Sequence, residues 1–439
     1  MKKTLILLAL IIVMALGSFF SFGSGKITDK LKTEVDTQLQ ILQKNGFVIE
    51  DRKIKKKGEH FVIHYADPAR ISDYLKTQNV DFSPEEAESL KGLKVAADIT
   101  YLDGFYSAIS ADLYPLAFPD SVMEQATPKD REIMEKILRE KIFLAHLDIN
   151  KLFTEFRGSI KDIDTTFESQ DPLTIISKGF TFSGTYDDHL LTSSSSDIKQ
   201  FNLQTKSGIR IAVDNLHGEH EQKGGYHYTS NYQIDKLVIH DENGRGAELK
   251  KGTLKSTGES KNGLASSGFT LNLESAEINE PQGKHLFHKL TSETTLENLS
   301  VAALDKMQQL DENDTEGFNS AFKELLAAGI TLKVNKLSAE KVMESGNKEM
   351  IDGFDINAVV KVDKITDFKQ LEENPLALLG IIDARIHLEF SDKLYIALQK
   401  RPELAMAMIL FQPVSKDGKM IFDLEYKKGA LKINGKRAL

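Results

Sequence analysis

The chain has 439 residues, with 65 acidic against 56 basic side chains for a formal net charge of -9, and it contains neither cysteine nor tryptophan. Its length exceeds one ordinary domain and is ample for a sizeable core. Lys and Arg scattered on an acidic background exclude the basic face of a nucleic-acid binder, and the absence of Cys excludes disulfides, a lipidated cysteine and thiolate metal sites.

Met1-Lys2-Lys3 precedes an uncharged run, Thr4 to Gly25, built around Leu5 to Met14. At about 1.5 Å of rise per residue it is long enough as a helix to cross a hydrocarbon core of about 30 Å. The competing reading is a cleaved signal peptide, with Ala15-Leu16-Gly17 as the cleavage site. The apolar Ser18-Phe19-Phe20-Ser21-Phe22 beyond that site favours an uncleaved anchor. Lys26, Lys30 and Lys32 nearly balance the charges before the run, but the short two-lysine head has the shape of an export signal, which sends the long remainder outward.

Ile27, Leu31, Val35, Leu39 and Leu42 recur at helical spacing, and Gly46 stands where such a helix stops. Phe47 to Glu50 and His60 to Tyr65 read as paired strands, with the basic run Arg52 to Lys57 as a solvated hairpin edge. Helices follow near Pro68 to Gln78 and from Ser83-Pro84; Val95, Ala97, Ile99 and Tyr101 alternate as a strand that turns at Asp103-Gly104; and Thr127-Pro128 opens a further helix to about His146. From Leu152 to Leu299 the pattern is almost pure strand. Phe180 and Phe182, Ile209, Ile211 and Val213, and Phe269, Leu271 and Leu273 alternate with polar residues, and turns such as Glu242-Asn243-Gly244 and Lys261-Asn262-Gly263 arrive at meander spacing. Ser193 to Ser196 reads as a strand end or loop. Helices return near Val301 to Leu310 and Thr315 to Ala328. Strands at Ile330 to Val334, Phe354 to Val362 and Ile382 to Phe390 are interleaved with helices at Asp367 to Leu379 and Lys393 to Phe411, the latter divided by Pro402. A closing hairpin turns at Lys427-Lys428-Gly429.

These elements predict an α+β fold: an N-terminal transmembrane helix, then a large, mainly antiparallel sheet, a meander, covered by amphipathic helices. The divisions are 1–25 (membrane anchor or signal peptide), 26–150 (N-terminal α+β region), 151–299 (β-rich meander) and 300–439 (C-terminal α+β region).

Candidate chemistry is sparse. His217-Gly218-Glu219-His220-Glu221, with His227, is the densest set of metal-ligand types. On a strand, however, His217 and Glu219 share one face and His220 takes the other, so a polar hairpin end is the preferred reading. His285 and His288 would be neighbours only on a helix. No metalloprotease HExxH, nucleophile elbow, phosphate loop or dinucleotide fingerprint is present. No catalytic, cofactor-binding or metal residue is therefore assigned, no cofactor is expected, and the chain is read as not an enzyme.

The anchor running into Gly25-Lys26-Ile27, the strand Ile382-Asp383-Ala384-Arg385-Ile386 and the closing Leu424-Glu425-Tyr426-Lys427-Lys428-Gly429-Ala430-Leu431-Lys432-Ile433-Asn434-Gly435 resemble the YdgA-like family of proteobacterial envelope proteins, whose members are largely of unknown function. Together with the anchor, that resemblance implies a single-pass inner-membrane protein with its body in the periplasm. Its partners would be the inner membrane through the N-terminal helix, an envelope protein or lipid, and no nucleic acid. The expected role is a non-enzymatic interaction or envelope-maintenance module. The alternative is a carrier of lipid or another hydrophobic ligand on the apolar face of a curved sheet. What separates the two is whether the helices near Val301 to Ala328 and Lys393 to Phe411 fill that face.

Overall fold

The computed structural model describes residues 29–77, 84–102, 107–152, 154–168, 172–187, 190–281, 283–308, 310, 314–343, 349–365, 368, 379–399 and 412–437. The chain divides into two units, with the boundary between His217 and Gly218.

The first unit opens with α1 (Asp29–Lys44), whose Val35, Leu39 and Leu42 form the buried stripe. Ten strands follow: β1 (Phe47–Lys55), β2 (Gly58–Tyr65), β3 (Lys94–Tyr101), β4 (Ser107–Ala117), β5 (Ala145–Asn150), β6 (Glu155–Ile160), β7 (Ile163–Phe167), β8 (Leu173–Lys178), β9 (Phe180–Asp187) and β10 (Leu190–Thr205). β1 to β6 pair antiparallel in chain order, β6 continues onto β9, and β10 pairs with both β9 and β8. β8 and β9 are in effect one strand bent at Gly179. There a positive φ and the approach of the Lys199 methylenes leave no room for a Cβ. The Gly179 N–H donates to Asp162 Oδ1 at 2.8 Å, at the matching break between β6 and β7.

The long β2–β3 and β4–β5 connections supply α2 (Pro68–Thr77), α3 (Pro84–Ser89), α4 (Asp120–Gln125) and α5 (Pro128–Arg139). α5 opens at Thr127-Pro128 as expected, and a capping box between Thr127 and Asp130 fixes its start. Ile71 and Leu75 of α2, Leu90 beside α3, and Met134 and Ile137 of α5 join the α1 stripe over one sheet face. Beneath them the cross-strand row Phe61, Ala97, Leu113 and Ala145 is buried throughout.

β11 (Arg210–Gln222) crosses the division. The second unit continues with β12 (Tyr228–His240), β13 (Gly246–Lys261), β14 (Leu264–Glu280), β15 (Gly283–Ser300), β16 (Ile330–Met343), β17 (Ile351–Val362), β18 (Ile382–Ser391), β19 (Val414–Lys416), β20 (Lys419–Lys427), β21 (Ala430–Ile433) and β22 (Lys436–Arg437). β12 to β18 form an antiparallel meander in chain order. β20 adds beside β18, and the short β19 and β21 share its outer edge. Asn262-Gly263, Asp417-Gly418, Lys428-Gly429 and Asn434-Gly435 each hold two successive positive φ values, the geometry of tight hairpins. The helices are α6 (Val301–Gln308), α7 (Thr315–Ala327) and α8 (Asp392–Gln399).

Four expectations are corrected. The fold is not α+β opening on a transmembrane helix: antiparallel strands make up most of the described chain, and the helices are short. Among the described residues no helix is long and apolar enough to cross a membrane. The longest, α1, has 16 residues and is charged along one side, whereas a span needs about 20 mostly apolar residues. The run at 1–25 lies outside the described residues, and no described helix supports the expected single-pass inner-membrane placement or signal anchor. Ser193 to Ser196 is strand interior, paired with Thr185 to Phe182, because cross-strand hydroxyl bonds such as Thr185 to Ser193 at 2.7 Å satisfy it. The helix opened at Thr127-Pro128 ends at Arg139, and His146, expected near its end, lies on β5; His217 to Glu221 lies near the end of β11, just before the turn at Lys223, as a polar hairpin end. The helix at Asp367 to Leu379 and the part of Lys393 to Phe411 beyond Gln399 fall almost wholly outside the described residues.

Candidate functional site: an uncharged sheet face in the second unit

Register brings together what alternation only marked. One cross-strand row runs Tyr232, Leu254, Leu271, Ser292, Leu337, Ile356, Leu388, Phe422 from β12 to β20. Its neighbours on the same face run Ser230, Ser256, Phe269, Thr294, Val334, Ala358, Ile386, Leu424 and, beyond that, Tyr228, Gly258, Ser267, Leu296, Leu332, Val360, Ala384, Tyr426. On the other side lies Ile234, Gly252, Leu273, Leu290, Ala339, Phe354, Phe390, Met420. None of these positions is charged. A bulge at Asn335, between Val334 and Leu337, keeps β16 in phase across the face. The reverse face carries Glu293, Lys333, Asp355, Arg385, Glu389, Lys419 and Glu425, with ion pairs such as Lys333–Glu297 at 2.6 Å.

Among the described residues the apolar face is only partly covered. α8 seals one corner: Leu394 packs with Ala339 and Val342 beside Phe354 and Phe390, and Tyr395 meets Phe422 with ring centroids 6.0 Å apart. α6 and α7 pack on each other and touch β15, with Ala303 and Ala321 buried. Elsewhere the large side chains stay open to solvent, with Tyr232 41%, Leu254 39%, Phe269 46% and Leu332 40% exposed. Ile382, Ile386 and Leu388, expected under covering helices, are half-buried.

One end of this face is polar without being charged. On β12 to β14 the in-facing positions include Tyr228, Ser230, Ser256 and Ser267, and His220 reaches them from β11. The Tyr228 hydroxyl lies 3.0 Å from Ser267 Oγ and accepts from Ser256 at 3.4 Å. His220 Nδ1 sits 2.8 Å from Ser230 Oγ, and its ring stacks on Tyr228 at 6.2 Å. Gly258 makes room for the Tyr228 ring, since a Cβ there would lie 2.2 Å from it. Residue-by-residue reading missed this cluster. The available signal was serine and glycine at the alternating positions where β16 to β18 carry Leu, Val and Ile.

The histidines singled out by sequence do not converge. His217 Nδ1 pairs with Asp197 at 2.7 Å, while His220 belongs to the hydroxyl cluster. His285 and His288 lie on strand β15 rather than a helix. Among the described residues no group of three metal-ligating side chains is placed to hold an ion. Imidazole–carboxylate pairs instead recur on the wet faces: His60–Asp98 at 2.7 Å, His146–Asp112 at 2.7 Å and His387–Asp423 at 2.6 Å. For His387 the hydrogen bond to Asp423 dominates and raises its pKa. For His146 burial pulls the pKa down, but Asp112 and Asp148 outweigh it and the net shift is upward.

An open groove of about 440 Å³ lies on the charged side of β17, β18, β20 and β21. His387 and Asp423 pair within its lining, and Lys432 and Arg385 both approach Glu425, at 3.4 and 4.0 Å. Its charges are thus matched among themselves. No family model, curated protein or solved structure matches this chain.

Proposed function

We propose that the protein is a non-enzymatic carrier that holds a hydrophobic ligand on the uncharged sheet face of its second unit. The observation that supports this reading is four adjacent rows across eight strands without a charged side chain, with Tyr232, Leu254, Phe269 and Leu332 open on them. Removing such surface from water is worth about 25 cal/mol per Å², or about 0.8 kcal/mol for each methylene buried. A protein partner would need about one hydrogen bond per 100–200 Å², and this face offers side-chain donors mainly at one end. An acyl chain needs none.

The test is binding of the apolar fluorophore N-phenyl-1-naphthylamine to the full chain. Saturable binding is expected, and Leu254→Asp with Leu271→Asp should abolish it, because an unpaired carboxylate on the face opposes burial. Absence of saturable binding by the unaltered protein would refute the reading.

A further inference from the structure

The two adjacent rows that begin at Tyr228 and Ser230 change character along their length. On β16 to β18 they hold Leu332, Val360 and Ala384, and Val334, Ala358 and Ile386; on β12 to β14 the same rows hold Tyr228, Gly258 and Ser267, and Ser230, Ser256 and Phe269. A face built only for packing gains nothing from hydroxyls there, because a buried polar group costs free energy unless it is bonded. These groups bond one another, yet each hydroxyl has one donor and two acceptor sites, so the chain of Ser256, Tyr228 and Ser267 retains capacity toward a guest.

Resting on the carrier reading, we propose that Tyr228, Ser230, Ser256 and Ser267, with His220 held against Ser230, form the polar end of the ligand site. They take the carboxyl group, free or esterified, of a long acyl chain whose methylenes lie across β14 to β18. Two observations select this ligand. The four rows carry no Lys or Arg, so a doubly charged phosphate head would find no cationic partner, whereas a carboxyl or ester oxygen needs only O–H or N–H donors. The dimensions also agree. Strands about 4.8 Å apart put roughly 19 Å between β14 and β18, and a hydrocarbon core of about 30 Å allots roughly 15 Å to one acyl chain. Phe269, 46% exposed on the row beside Ser256, stands where the head region passes into the hydrocarbon strip.

The experiment displaces N-phenyl-1-naphthylamine from the full chain with dodecanoate, monododecanoylglycerol, dodecyl phosphate or dodecane, using the unaltered protein and the Tyr228→Phe/Ser256→Ala/Ser267→Ala variant. The two bonds within the chain use two of its three O–H donors, so loss of the one left for the guest, a neutral hydrogen bond of about 1 kcal/mol, predicts roughly fivefold weakening of the favoured carboxyl ligand. Dodecane, which has no oxygen, should lose less than the carboxyl ligand; fluorophore affinity is measured for each protein separately, and cooperative urea unfolding reports that the variant is folded. Weakening confined to dodecanoate identifies the free acid, and weakening of the glyceride identifies the ester. Undiminished binding of both by the variant, or tighter binding of dodecyl phosphate than of dodecanoate, would overturn the polar subsite while leaving the carrier reading intact. Failure of the unaltered protein to bind the fluorophore would overturn the carrier reading itself.

Discussion

Phe61 and Phe269 occupy the same kind of position, each on the apolar side of an antiparallel sheet, yet Phe61 is fully buried and Phe269 is 46% exposed. The difference lies in the connections. In the first unit the chain between β2 and β3, and between β4 and β5, is long enough to make α2 to α5, which close over the sheet with α1. In the second unit β12 passes to β13 through a turn pinned by Asp241, whose carboxylate accepts from the N–H groups of Asn243 and Arg245 at 2.8 Å. β13 passes to β14 through Asn262-Gly263 alone. Tight turns spend no residues on cover. One-sided alternation therefore tells which side is apolar, and around Phe269 the short connections of β12 to β14 leave that side without local cover.

The largest effect expected from this comparison is Phe61→Ala. The site is fully buried, so the loss should fall at about 3–5 kcal/mol of unfolding free energy, read from urea denaturation. A cost below about 1 kcal/mol would mean that the first unit is no better packed than the second.

Ile386→Ala comes next. Half-buried on β18, it leaves no sealed cavity and should cost about 1–2 kcal/mol, below the range for a fully enclosed aliphatic side chain. Arg385→Ala on the reverse face should stay within about 0.5 kcal/mol. Equal costs would mean that the register of β18 is wrong.

The smallest effect concerns the wet faces. The folded-state pKa values of His146 and His387 are raised. Their contribution is therefore fully present below the ordinary histidine value of about 6.5 and is lost as pH rises through the raised folded value. Both imidazoles are more than a third exposed, so each pair should supply only a few tenths of a kcal/mol after screening. The Tm gap between the unaltered protein and His146→Gln/His387→Gln should be wider at pH 6 than at pH 8.5. A gap that widens with rising pH would reverse the assignment.

Much of the local structure was legible. The α1 stripe at Val35, Leu39 and Leu42, the helix start at Thr127-Pro128, and the hairpins at Asn262-Gly263 and Lys428-Gly429 stand where the residue types demand them, because each depends on neighbours within a few positions. The site was half legible. Alternation marked Phe269, Leu271, Ile386 and Leu388 as sharing the apolar side of their strands, but the same reasoning spent its attention on His217 to Glu221 and passed over Tyr228, Ser256 and Ser267.

The amino-acid sequence by itself determined the strand periods, the turns and the uncharged character of one side of each strand, since these follow from local sterics and from side chains alternating with a period of two. Tertiary structure alone decided that strands rather than helices dominate the fold and that helices seal the first unit's sheet while Tyr232, Leu254, Phe269 and Leu332 on the second unit's face stay exposed. It also decided that His220, Ser230, Ser256 and Ser267 meet around Tyr228. Such meetings depend on register between strands far apart in sequence, where a slip of one residue turns every side chain to the opposite face.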